Sequence, residues 1–268
     1  MIEIFRLIKG RIWKLFNFLH MKLSVYMFRH SSERAENEKG LGLLKNAYKG
    51  KRIFIVCNGP SLKPEDLDRI AENGDYSFAC NKIDKIFTKT KWRPSFYAVF
   101  DEGYGIKLLD TMNSIPADMH FYAEDSYLTT RKVRAKHYYI NALRSRKLLD
   151  EPDFADNVTE KLYAIATVTY AMIQIAVHMG FKELYIIGCD HSYSLEVKRD
   201  GTIVDNGGNS YFTGSEEEKK RTAVVSWEAD CAYDMARTFA DSHGIVIKNA
   251  GRGGKLENFE RVDFDSLF

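Results

Sequence analysis

The chain has 268 residues, 45% hydrophobic and 28% charged, enough to bury the core of one large domain and unlike a disordered or fibrous protein. A net charge of +2 argues against a dedicated nucleic-acid binder. The charge is unevenly placed: residues 1–51 hold 11 Lys and Arg against 4 Glu, net +7, which leaves the remainder at net −5.

In residues 1–30, Ile4, Phe5, Ile8, Ile12, Leu15, Phe16 and Leu19 recur at spacings of three and four against Arg6, Lys9, Arg11 and Lys14. This pattern predicts an amphipathic helix. Its charges interrupt it too often for a bilayer span, and it has no small-residue cleavage site. Such a helix suits the anionic inner face of a plasma membrane, or docking on its own domain or on another subunit. Residues 31–50 are polar and read as a connector, setting 1–50 apart from a catalytic domain over 51–268.

Strand patterns occupy 52–57, 76–80, 96–100, 119–123, 137–140, 184–188 and 245–248, with helical patterns at 64–72, 105–113, 161–179 and 216–242. The alternation predicts an α/β, Rossmann-like, mostly parallel sheet with helices on both faces. Ligands of such sheets bind beyond the carboxyl ends of the strands. The polar residues there are Asn58-Gly59-Pro60-Ser61, Asn81-Lys82, Asp101-Glu102 and Gly188-Cys189-Asp190-His191-Ser192-Tyr193. Ser61 reads as a helix N-cap, with Gly59 and Pro60 forming a turn beside a phosphate-binding helix start. Cys57, Cys80, Cys189 and Cys231 form no Cys-x-x-Cys pair and read as free thiols of a reducing cytoplasm.

His191 suits a general base near neutral pH, and is equally readable as a structural histidine. Asp190 could orient that imidazole, bind substrate hydroxyls or bond to backbone. Asp66-Leu67-Asp68 and Asp263-Phe264-Asp265 are the only Asp-x-Asp patterns; neither follows a crevice strand, and both read as solvated surface. Residues 194–222 form a long irregular insertion, a lid or a mobile hairpin, with Gly207-Gly208 and Gly214 as hinges and Tyr211 and Phe212 placed to cover a bound ligand.

The set Ile-Val-Cys-Asn-Gly-Pro-Ser-Leu, Ala-Cys-Asn-Lys and Met179-Gly180-Phe181-Lys182-Glu183-Leu184-Tyr185-Ile186-Ile187-Gly188-Cys189-Asp190 resembles the bacterial lipooligosaccharide sialyltransferases of glycosyltransferase family 42. It also resembles a broader group that includes flagellin motility accessory factors and archaeal 6-hydroxymethylpterin diphosphokinases, to which the tail Asn249-Ala250-Gly251-Arg252-Gly253-Gly254-Lys255 is most similar. The first resemblance implies a cytidine nucleotide at Asn58, Gly59 and Asn81, and a donor-site hydroxyl at Thr167 or Thr169. It places the first phosphate-binding tyrosine at Ser192, beside Tyr193. It also implies a base histidine where this chain has Trp227, so that role does not carry over.

Together these correspondences imply transfer of an acidic sugar from a CMP-sugar donor to a cell-surface glycan acceptor. With no Asp-x-Asp after a crevice strand and a single-phosphate leaving group, the expected reaction is inverting and uses no metal and no cofactor. The basic N-terminal helix would hold the protein at the inner membrane face, and whether chains pair, as members of that family often do, stays open. The second resemblance implies ATP-dependent pyrophosphoryl transfer to a pterin, with Mg²⁺ held by a pair such as Asp101 and Asp190, or a non-catalytic accessory role.

Overall fold

The computed structural model describes residues 2–101, 108–144, 153–207, 210–212 and 223–268, with only the helical backbone of residues 2–10. Seven parallel strands form one sheet: β1 (Arg52–Val56), β2 (Tyr76–Cys80), β3 (Phe96–Val99), β4 (Met119–Ala123), β5 (His137–Ile140), β8 (Glu183–Ile187) and β11 (Val246–Asn249). Their order is β11-β8-β1-β2-β3-β4-β5. The chain winds outward from β1 to β5 and then returns to the other side of β1, so strand order reverses between β1 and β8.

Side chains alternate through β1 in the manner pleating dictates. Ile53 and Ile55 enter a core with Tyr170, Ile173 and Ile175 of α6 (Val168–His178) and Ala232 and Ala236 of α7 (Ser226–Ser242). Phe54 and Val56 enter the opposite core with Leu67 and Ile70 of α3 (Pro64–Glu72). Two short pairs lie outside the sheet: β6 (Ala142–Leu143) with β7 (Leu162–Tyr163), and an antiparallel hairpin of β9 (Leu195–Val197) with β10 (Ile203–Asp205). Two short helices, α4 (Leu109–Ser114) and α5 (Tyr127–Thr130), complete the layer.

Several boundaries differ from the sequence pattern. The helix expected over 161–179 begins only at Val168, because Leu162–Tyr163 pairs with β6 and Ala166 turns the chain at φ 58°. Residues 31–50 are no connector. After α1 (Ile2–Arg29), Glu33–Leu44 forms α2, with Glu33 and Glu36 in its first turn. Leu41 and Leu44 join the core, and Asn37 exchanges two hydrogen bonds with the Tyr139 backbone, 2.7 and 2.9 Å. Residues 105–107, 208, 214 and 216–222 of the expected helices and insertion, and Glu102, lie outside the described residues.

The Asp-x-Asp patterns also prove structural. Buried Asp66 takes a two-pronged pair from Arg252, as close as 2.7 Å, and Arg252 also reaches Asp265 at 2.9 Å. Asp68 accepts from the Thr90 hydroxyl and the Lys91 N–H. The Arg252 contacts fasten the C-terminal tail across α3, and hydrogen bonds to Asp66 and then Asp265 hold the Arg252 guanidinium even more firmly charged than usual.

Candidate active site

The loops after β1, β2, β3 and β8 converge with the start of α6 on one crevice. Asn58, Gly59, Asn81, Asp101, Thr167, Thr169, Gly188, Asp190, His191, Ser192, Tyr193 and Tyr211 all line it. Pro60 and Ser61 do not. Larger clefts, about 410 Å³ between α2 and β5 and about 510 Å³ beside α7, gather no strand-end loops, so size does not select the site.

The back of the crevice is locked by Asp190. Its carboxylate accepts from the Ser61 N–H at 2.8 Å and from the Ser61 hydroxyl, and its carbonyl accepts from the Lys255 N–H. This corrects three expectations. Ser61 is not an N-cap: α3 starts at Pro64, with Lys63 in the capping position. The anion at that backbone is the protein's own Asp190 rather than a phosphate. And Asp190 fixes a loop instead of orienting His191.

Gly59 is required by space, not by φ. Its N–H donates to the Gly188 carbonyl at 2.7 Å, and a Cβ there would lie 2.6 Å from that oxygen and 2.9 Å from the Asp190 carboxyl. Gly254, at φ 84°, passes so close that its Cβ would sit 2.4 Å from Asp190 backbone.

The residue that meets His191 is Asp230 of α7, whose Oδ1 lies 2.8 Å from Nε2. With Nε2–H donating there, Nδ1 carries the lone pair, and it is buried without a partner. Tyr193 and Tyr233 stand edge-on to the imidazole, each at 5.8 Å between centroids. Burial holds the Tyr193 phenol well above its ordinary pKa, so it is a hydrogen-bond donor at neutral pH. Sequence reasoning missed Asp230: it lies 39 residues from His191 in an ordinary helical pattern, and no local motif marks it.

Two further acceptors are buried and unanswered, Asn58 Oδ1 and Asn81 Oδ1. The Asn58 side-chain amide donates to the Cys80 carbonyl at 3.1 Å, and the Asn58 backbone carbonyl accepts the Phe212 N–H at 3.0 Å, so the chain after the hairpin returns onto this loop. The Asn81 amide donates to Asp101 at 3.2 Å from a backbone at φ 51°. Thr167 caps α6 by accepting from the Thr169 N–H, and the Thr169 hydroxyl lies 3.2 Å from Cys57 Sγ. A hydrogen bond with Cys189 and burial push the Cys57 thiol up, and burial does the same to Cys80. Trp227 lies outside the crevice, its ring under Arg199. Among the described residues no Lys or Arg lines the crevice, and no three His, Cys, Asp or Glu side chains are grouped to hold a metal ion.

A comparison with curated protein sequences returns no match. A MAf glycosyltransferase from Magnetospirillum magneticum AMB-1 shares the fold at a TM-score of 0.53 and 18% identity, over 88% of this chain but 39% of that one. This chain therefore corresponds to well under half of that protein. The sequence model of the 6-hydroxymethylpterin diphosphokinase MptE-like family matches residues 29–196, more than half of the chain and all of the sheet but β11. On that match, the chain belongs to the MptE-like family, the broader of the two groups its motifs resemble.

Proposed function

We propose that this protein is a glycosyltransferase that moves a sugar from a CMP-activated donor to an acceptor hydroxyl with inversion. The observation that carries the reading is the trio of buried, unpartnered atoms Asn58 Oδ1, Asn81 Oδ1 and His191 Nδ1 on residues lining one crevice where strand order reverses. A cytidine nucleotide offers amino and hydroxyl donors to the two amide oxygens. Its single phosphate is a leaving group that hydroxyls and N–H groups at Thr167, Thr169, Ser192 and Tyr193 can stabilise without a cluster of cations. His191 Nδ1 then takes the proton of the acceptor hydroxyl, whose oxygen forms the new bond to the anomeric carbon as the bond to phosphate breaks and CMP departs. Asp230 holds the resulting imidazolium. An acidic sugar and a cell-surface glycan acceptor extend the proposal along the sialyltransferase resemblance.

The family's description favours a second reading, pyrophosphoryl transfer from ATP to a pterin. That chemistry asks for Mg²⁺ on carboxylates, and the expected partner Asp190 already gives both oxygens to Ser61. A ligand panel read by thermal shift separates the two: CMP, CDP, UDP, GDP and ATP, each with and without Mg²⁺. The transferase reading expects stabilisation by CMP or CDP without metal. Stabilisation by ATP with Mg²⁺ alone would replace it with the diphosphokinase, and silence throughout would favour an accessory role.

A further inference from the structure

At about 1.5 Å per residue the 28-residue α1 is roughly 42 Å long, and among the described residues its hydrogen bonds to the domain lie in its last third. There Ser24 is fully buried, its hydroxyl accepting the Leu128 N–H at 3.4 Å. Phe28 packs on Tyr127 and Tyr139, and Arg29 joins Glu124 at 2.8 Å to Asn141 at 3.2 Å. Along the same helix Ile12, Phe16, Leu19, Leu23 and Tyr26 recur at alternating spacings of four and three, which places them on one stripe. That stripe lies about 140° round the helix from Ser24 and Phe28, facing away from the domain. Phe16 is 60% exposed and Trp13, beside the stripe, 58%. A contiguous apolar strip of this size on a monomer marks an interaction surface.

Charge decides what covers it. Exposed Arg11 and Lys22 run along one edge of the stripe, with exposed Lys14 further round the helix and Lys22 Nζ 5.5 Å from the Phe18 ring centroid, and the only acid in the whole helix is Glu3. A second copy would bring these cations together with no acidic counterpart on its own α1, whereas an anionic lipid surface meets both the charges and the aromatic side chains. Among the described residues no helix is long and apolar enough to cross a membrane, so the helix would lie in the surface. We infer that α1 docks this protein on an anionic lipid surface through the Ile12–Tyr26 stripe. Its anchors Glu124 and Asn141 directly follow the carboxyl ends of β4 and β5, the same sheet edge that holds the crevice. Docking therefore keeps that edge near the lipid, whatever the crevice transfers.

The test is flotation of the full chain with vesicles of phosphatidylcholine alone or mixed with phosphatidylglycerol. Two variants change only exposed side chains, Trp13→Ser/Phe16→Ser/Leu19→Ser and Arg11→Gln/Lys14→Gln/Lys22→Gln, and an unchanged Tm verifies their folds. The wild type should float with the anionic vesicles alone. The apolar variant should bind at least about tenfold more weakly, and the charge variant should lose roughly fivefold per cation. Equal flotation of wild type and variants overturns the assignment, as does a wild type that never floats. A wild-type dimer that the serine variant dissolves, with no flotation, would give the stripe to a second copy instead.

Discussion

The back and the mouth of the crevice are built from the same loops, one residue apart, and treat their polar groups in opposite ways. At the back, Gly59 and Asp190 answer Gly188, Ser61 and Lys255 at hydrogen-bond distance, with no room for a Cβ at Gly59. At the mouth, the adjoining Asn58 and His191 each keep one buried polar atom unanswered. Two histidines repeat the contrast. His120 has both ring nitrogens bonded, to the Tyr122 hydroxyl and the Ile115 carbonyl, while His191 has Nε2 bonded and Nδ1 bare. Unanswered polar atoms gathered on one crevice are what a ligand can complete.

The contrast can be broken from either side. The largest effect is expected at the back. Asp190→Ala removes two bonds to a charged acceptor and strands the Ser61 groups, which should cost about 3 kcal/mol in urea unfolding. A loss under about 1 kcal/mol would mean the lock is not structural. Next comes His120, whose imidazole burial pushes down to about 4 from the usual 6.5. The neutral form is favoured by folding, so its contribution is complete above pH 6.5 and is lost as pH falls toward 4. The wild type should therefore lose about 2 kcal/mol more than His120→Gln between pH 7 and pH 5. Parallel losses would show that His120 is not held neutral. The smallest effect belongs to the mouth: Asp230→Asn should leave Tm within a degree or so and lower turnover about tenfold, since Asp230 is partly open to solvent. Unchanged turnover would detach Asp230 from the chemistry.

The sheet was legible because each central strand is a buried apolar run ending in polar residues, and the crevice because those endings carry Asn, Asp and His. The features that stayed hidden depend on distance along the chain. Asp66 looks like helix surface until Arg252, 186 residues away, closes on it. Asp230 likewise needs the fold to reach His191. α2 was obscured by its polar, glycine-containing sequence; its stability comes from docking, through Asn37 on the β5 edge and Leu41 and Leu44 in the core. Ser61 carried the right residue type for a cap, but Asp190 claims its hydroxyl first.

The central claim, that the open mouth is a cytidine-nucleotide site, is tested most directly by calorimetric titration of CMP without metal into wild type and into Asn58→Ala and Asn81→Ala. The account predicts saturable binding by the wild type and at least about fivefold weaker binding by each variant, as expected when one hydrogen bond of about 1 kcal/mol is lost. No heat with CMP, or equal affinity in all three proteins, would contradict it.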